Sequence, residues 1–474
     1  MLLDKIKEKL KGMFLFGLAI QAVSFPFTVY HFFEYPVYGF FINPVVVPLM
    51  TVLLLCGMLS GVCGLFVPWL GHFFAGGTAA VLWIYETLCG LVERLPGSLL
   101  LVGQPRVWQM GLYYLVLAAL LCLWRGKGKP VCFFCSLILL PLCLFPIPLW
   151  ATGTGFEAAF LDVGQGDGIV LREAGAVFLV DGGSSGMQKV GEKRIIPYLK
   201  SQNIRVIECA FVSHTDSDHM NGVKEILEAM PKNSAYRESW LGYTGTPVIK
   251  RLVLPAWYGE GTAETENLKV DSEKRPGITN GSGVAQGMLR EEDEAFRELV
   301  ELACEKQVEV HYMKAGDCMR AGDTLIFTCL APEAGVAYDN KNAASMVLLA
   351  SYEEFDLLLT GDMEKEGEER LLKQMTWAEQ AEGVMPGALP DSVEVLKVSH
   401  HGSRTASSPE FVSAISPQIS VISCGKDNRY GHPHPETLEV LYGADSAVFR
   451  TDESGCVRIR VRKGLMEVEE FLKK

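Results

Sequence analysis

The chain has 474 residues, a formal net charge of −13 and 49% hydrophobic residues, too long for one ordinary domain and too apolar to be soluble throughout. Residues 1–150 carry nine Lys/Arg against five Asp/Glu, which leaves a net −17 to residues 151–474. That distribution points to a membrane part followed by an acidic soluble part, which repels a polyanion and has no extended basic stripe to compensate.

Five apolar stretches come first, at 13–33, 45–70, 73–92, 107–124 and 131–150. Each is long enough, or nearly so, to cross about 30 Å of hydrocarbon. One cleavable signal peptide cannot account for five of them. Pro26, Pro44, Pro48 and Pro68 interrupt or flank the first two, more simply as kinks than as the lining of a pore. Lys5, Lys7, Lys9 and Lys11 precede the first stretch, and Arg125, Lys127 and Lys129 separate the fourth from the fifth. If both clusters face the cytoplasm, five crossings deliver residues 151–474 to the outer face. The pair Cys132 and Cys135 adjoins a span and reads as apolar packing rather than a metal or redox site.

Beyond residue 156 short apolar runs alternate with Gly, Asp, Asn and Pro. The pattern predicts strands at 158–163, 168–172, 176–180, 205–213, 324–330, 345–350, 355–360, 393–399 and 419–423. Helical spacing covers 194–202, 222–229, 291–306, 364–375 and 435–441. Mixed in this order, they predict an α/β sandwich. The polar stretch 231–289 reads as a surface insertion, and 379–391 as a shorter acidic one. Cys209, Cys329 and Cys424 fall on strand-like runs and are expected in the core.

The chemistry concentrates at strand ends. Phe211-Val-Ser-His214-Thr-Asp216-Ser-Asp218-His219 puts four candidate metal ligands within six residues after a strand. Burying such carboxylates without a cation is expensive. Leu357-Leu-Leu-Thr-Gly-Asp362 ends in an acid able to bridge two cations. In Leu396-Lys-Val-Ser-His400-His401, strand alternation sends one imidazole into the site and the other behind it, with His400 the preferred ligand. The loop Arg429-Tyr-Gly-His432-Pro-His434 offers two more imidazoles, suited to orienting a phosphate or protonating a leaving group, with Asp218 the third catalytic candidate. Asp167 and Asp181 can hydrogen-bond the ligands from behind, although Asp181, like Asp162, reads first as a turn former. Lys397, Arg404, Lys426 and Arg429 are the cations that flank these loops.

The first cluster resembles the His-x-His-x-Asp-His signature of the metallo-β-lactamase fold, with Asp216 in place of the second His, and so implies an αββα sandwich. The harder carboxylate shifts the expected pair of divalent ions toward manganese, ahead of zinc or magnesium. In order, FLDVGQGD, LVDGG, SHTDSDH, LLLTGD, LKVSHHGS and YGHPHP, over residues 156 to about 442, resemble the hydrolase domain of the ComEC family of bacterial competence proteins. Residues 1–150, with Phe25-Pro26 and Asn43-Pro44, resemble part of that family's channel domain. The resemblance implies a membrane-anchored, metal-dependent DNase acting on single- or double-stranded DNA during uptake, with Lys397, Arg404, Lys426 and Arg429 as the candidate DNA contacts. The alternatives are a channel component that guides DNA without cutting it, and a metal hydrolase of another small substrate. Two departures stand out. His311 is the one histidine between His219 and His400, so the usual separate His ligand has no match. Residues 1–150 also supply fewer helices than the family's membrane part, so another channel polypeptide or self-association is expected to complete a conduit.

Overall fold

The computed structural model describes residues 2–124, 140, 143, 155–231, 243–256, 294–322, 324–333, 335, 336, 338, 341–380 and 389–472. Two compact units emerge. One comprises Met1–Pro148, Leu199–Arg205 and Ala235–Thr246; the other comprises Leu149–Tyr198, Val206–Ser234 and Pro247–Lys474.

The first unit runs α1 (Leu2–Phe32), β1 (Glu34–Pro36), α2 (Gly39–Phe66), α3 (Pro68–Glu93), β2 (Leu99–Leu101) and α4 (Val107–Trp124), with β1 and β2 antiparallel. The expected span at 45–70 is corrected here. Val67 leaves the helical region at φ −138° and Pro68 opens α3, because proline has no N–H to offer the preceding turn. At the α2–α3 corner, a Cβ on Gly71 would lie 2.5 Å from the Gly64 Cα, so only glycine admits the close backbone approach. Among the described residues two helices, Phe41–Phe66 and Pro68–Glu93, are long and apolar enough to cross a membrane, and Val107–Cys122 is a shorter apolar one. The fifth expected span lies outside the described residues apart from Leu140 and Cys143, as do Arg125, Lys127, Lys129, Cys132 and Cys135.

The second unit is a sandwich of two sheets. Its eight-stranded sheet uses β3 (Phe156–Phe160), β4 (Gly168–Glu173), β5 (Ala176–Gly182), β6 (Val206–Phe211), β7 (Val248–Pro255), β8 (Glu309–Met313), β16 (Val457–Arg462) and β17 (Leu465–Glu470), in the order β17-β16-β3-β4-β5-β6-β7-β8. The seven-stranded sheet uses β9 (Cys318–Ala321), β10 (Leu325–Ala331), β11 (Val347–Tyr352), β12 (Phe355–Leu359), β13 (Val395–Lys397), β14 (Ile419–Ile422) and β15 (Ala447–Arg450), in the order β15-β14-β13-β12-β11-β10-β9. Strands β5 to β8 are parallel, and so are β12 to β15. The outer faces carry α5 (Ser217–Ala229), α6 (Glu294–Glu305), α7 (Lys365–Gln380), α8 (Pro409–Ile415) and α9 (Pro435–Gly443). The expected helix at 194–202 is a π turn, Gly191–Ile195, running into Ile196–Ser201.

One reading needs correcting. The stretch taken as an insertion, 231–289, contains β7, which pairs with β6 on one side and β8 on the other. The apolar run of Leu252, Val253 and Leu254 is buried there, and a flanking polar composition concealed it.

Period-two alternation builds the core. Leu357 and Leu359 face the space between the sheets, while Leu358 faces the helix side with Phe411 and Leu441. Between the sheets, the Phe327 ring lies 5.1 Å from Phe178 and 4.9 Å from Phe211. Each such fully buried side chain stabilises the fold by about 1.5–3 kcal/mol relative to exposure. Cys209 and Cys329 pack in this layer and Cys424 on the helix side.

Candidate metal centre

The chemistry-bearing residues follow the C-terminal ends of parallel strands. Asp181 closes β5, His214 follows β6, Asp362 follows β12, His401 follows β13 and His432 follows β14. Strand ends of this kind are where open α/β sheets present ligand sites. Asp216 precedes α5 in an extended conformation, so Asp218 and His219 project from the helix's first turn. Gly183 lets the β5 loop press on that turn: a Cβ there would lie 2.3 Å from both the Asp218 carbonyl carbon and the His219 nitrogen. The Asp167 N–H donates to the Asp218 carbonyl at 3.0 Å and fixes the same turn from the neighbouring loop.

Every inward imidazole is oriented through its other nitrogen. His219 Nδ1 donates to Asp181 Oδ2 at 2.9 Å, and His401 Nδ1 donates to the Ser423 carbonyl at 2.9 Å. His214 Nδ1 meets Ser213 Oγ at 3.1 Å, and Ser213 in turn donates from N and Oγ to Asp181 at 2.7 and 2.8 Å. That leaves Nε2 of His214 and His401 buried with no hydrogen-bond partner among the described residues, while His219 Nε2 faces Asp362 Oδ1 at 3.1 Å. Unpaired buried nitrogens are costly in an apo protein and are the proper lone-pair donors for a metal. Three-residue groups able to hold an ion form from His214, His219 and Asp362, and from Asp218, His219 and His401. Asp167 joins two others, one with Asp362 and His401 and one with Asp181 and His219. The donor set therefore fits divalent metal ions.

Burial and neighbouring charge set the protonation states. Burial holds His214 well below the ordinary imidazole range, reinforced by His219. Burial also pulls His219 down, but Asp362 and Asp181 outweigh it and keep that ring well above. For Asp362, burial favours the acid, yet His219 and His401 outweigh burial and hold the carboxyl well below its usual range. His401 is lowered, chiefly by burial.

Three site expectations change. His401, 1% exposed, enters the ligand groups, whereas His400 stays at the edge with Nε2 3.8 Å from Asp362 Oδ2 and Nδ1 3.5 Å from Glu364. Strand alternation does not apply there, because both histidines sit in a turn at positive φ, 47° and 54°. Lys397 is no surface cation for DNA: it is 1% exposed and its ammonium lies against Asp167. Asp216 stays outside the ligand groups, with its side chain 46% exposed and Oδ2 3.8 Å from His214 Nε2.

On the rim, the Gln165 amide donates to His432 Nδ1 at 3.3 Å, an orientation fixed because Gln165 Oε1 accepts from the Gly425 N–H. Partial burial, then His401, His400 and His434, push His432 down to about 4. His434 Nδ1 accepts from the Arg404 N–H at 3.2 Å, a turn-holding role. Lys426 and Arg429 are exposed, Arg429 over the Tyr430 ring at 4.8 Å, and Arg404 pairs with Glu436 at 3.6 Å. His311 is remote from the ligand groups, beside Glu309 on β8. Ser213, Ser423 and Gln165 were missed in the sequence. Only Ser213 carried a signal, its place between β6 and His214.

Comparison with known proteins divides the chain at the same place as its chemistry. Residues 2–127 match the family described as Competence protein, and residues 161–293 match the Metallo-beta-lactamase superfamily. The chain is thus similar to the competence-protein family over its N-terminal part and to the metallo-β-lactamase superfamily over part of its C-terminal unit. It is 26% identical to ComE operon protein 3 of Bacillus subtilis over 97% of its own length and 53% of that protein. It is also 26% identical to Recombination protein 2 of Haemophilus influenzae, over 68% of this chain and 30% of that one. The chain thus spans about half the length of the first relative and less of the second. Among solved structures, CmlA, a diiron β-hydroxylase from Streptomyces venezuelae, aligns at 15% identity and TM-score 0.34 over 66% of this chain and 54% of that one.

Proposed function

We propose that this competence-type chain is a membrane-anchored, divalent-metal phosphodiesterase that cuts DNA at the outer face of the cytoplasmic membrane during uptake. The observation that carries the reading is the convergence of His214, Asp218, His219, Asp362 and His401, with two buried Nε2 atoms left unpaired. His214, Asp218, His219, Asp362 and His401 would hold two such ions, manganese ahead of zinc or magnesium, which would supply the Lewis acidity that activates water at neutral pH and neutralises a scissile phosphate. The mixed carboxylate and imidazole set supports that metal order through its oxygen donors Asp218 and Asp362.

The chain's own groups do the rest. Asp218 lies at the mouth and accepts the proton of the attacking water. Because Gln165 donates to Nδ1, neutral His432 carries its proton on Nε2 and donates it as a hydrogen bond to a phosphate oxygen, rather than protonating the leaving group. Arg404, Lys426 and Arg429 hold flanking phosphates against the −17 of the C-terminal part. A guiding module without chemistry has no use for converging ligands of this kind. A path for a charged polymer needs a wet lining, so a partner polypeptide or self-association completes any conduit.

The test is cleavage of single- and double-stranded DNA by the purified full chain in detergent. Manganese should support cleavage, a chelator should stop it, and Asp218→Ala should lower the rate by about 10²-fold or more. Undiminished cutting after metal removal, or by the Asp218 variant, overturns the reading.

A further inference from the structure

β13 is buried on both faces: Val395 faces the layer between the sheets and Leu396 the helix side. Alternation returns Lys397 to the Val395 face, at the strand end that opens on the metal centre. A lone buried ammonium is strongly unfavourable, so what surrounds it is informative. Its Nζ is in ion-pair contact with Asp167, donates to the Gly361 carbonyl at 3.0 Å and lies 3.9 Å from Asp362 Oδ1. Asp167 is fully buried, and its Oδ1 has no hydrogen-bond partner among the described residues. The imidazole nitrogens beside Asp167, His219 Nδ1 at 3.6 Å and His401 Nδ1 at 3.8 Å, are committed to Asp181 and to the Ser423 carbonyl. Yet Asp167, Asp362 and His401 lie close enough together to hold a cation among themselves.

We propose that Lys397 is a built-in cation of this site: its ammonium occupies the position that Asp167, Asp362 and His401 would otherwise offer to a further divalent ion. Lys397 thereby neutralises Asp167, keeps that carboxylate out of the metal shell and leaves Asp362 free to face the ions held by His214, Asp218, His219 and His401. It is a positioning residue that sets how many ions the site takes. The inference rests on the metal-centre reading and is independent of whether DNA is the substrate.

The test uses four full-length chains in detergent: wild type, Lys397→Met, Asp167→Asn and the double variant. Each is dialysed to equilibrium against manganese, the bound metal is counted by atomic emission, and thermal unfolding is followed with and without manganese. Lys397→Met is expected to bind one more ion per chain than wild type, and the double variant to return to the wild-type number. Metal-free Lys397→Met should melt below wild type, and manganese should close that gap. A merely structural ion pair would lower stability without adding an ion. Equal ion counts in a metal-loaded wild type and in Lys397→Met overturn the proposal. A wild type that binds no metal overturns the metal-centre reading together with it. If Lys397→Met folds only when combined with Asp167→Asn, manganese must rescue the single variant, and failure of that rescue also overturns the proposal.

Discussion

The two nitrogens of His432 have different tasks, and the difference is set by a residue 267 positions away, Gln165. The ring is neutral at physiological pH because partial burial and three neighbouring imidazoles disfavour a further positive charge. The consequence for stability has a definite sign. The folded value, about 4, lies below the ordinary 6.5, so the unfolded chain takes up the proton first as pH falls. The stabilisation is fully present above about pH 6.5, is lost between there and about 4, and falls no further below that. Buried His214, also lowered, adds loss in the same direction, whereas raised His219 opposes it. In metal-free protein, His432→Gln should therefore lose less melting temperature than wild type between pH 6.5 and 4. Parallel curves would show that the ring is not held neutral. The candidate donors at 214, 218, 219 and 362 were readable because several costly polar residues stood together at strand ends. The choice of His401 over His400 was not, since a left-handed turn replaced the strand on which the choice was argued.

At the scale of elements, the centre depends on how tightly loops pack against the first turn of α5. Gly183 has backbone where a side chain would go, so Gly183→Ala must push the Asp218–His219 turn away from Asp167 and Asp181. A loss of about 1–3 kcal/mol is expected from such overpacking, and metal uptake should fall with it. Gly186 is the matched control. Nothing lies within 4 Å of its would-be Cβ, so Gly186→Ala should change stability by no more than about 0.5 kcal/mol. Urea unfolding with a manganese titration measures both, and equal behaviour of the two variants would refute the close-approach argument. Strand period was legible over β4, β5, β11 and β12 because apolar runs there are bounded by turn residues. The strands β16 and β17, the second of them at the sheet edge, were not anticipated. Arg458, Arg460, Glu467 and Glu469 alternate along them with apolar positions, and this charge conceals two paired strands. Lys397 offered a missed clue, for it stands two residues after Val395 on a strand buried on both faces.

For the whole molecule, the hydropathy of α2 and α3 and the acidity of the C-terminal part suggest different surroundings for the two ends of the chain. The proposed outer location of residues 151–474 follows from basic residues beside the spans. Protease added to intact spheroplasts should therefore digest the C-terminal unit. Its protection would place that unit in the cytoplasm and make cutting of an external strand untenable. The sequence by itself determined the two-part plan, the sandwich class and the residue types of the candidate metal centre, because hydrophobic period and clusters of polar residues are local properties of a chain. Tertiary structure alone decided which atoms converge. Asp167, Asp362 and Lys397 are far apart in sequence, and whether an ammonium reaches DNA or is buried against a carboxylate depends on which strand ends the two sheets bring together.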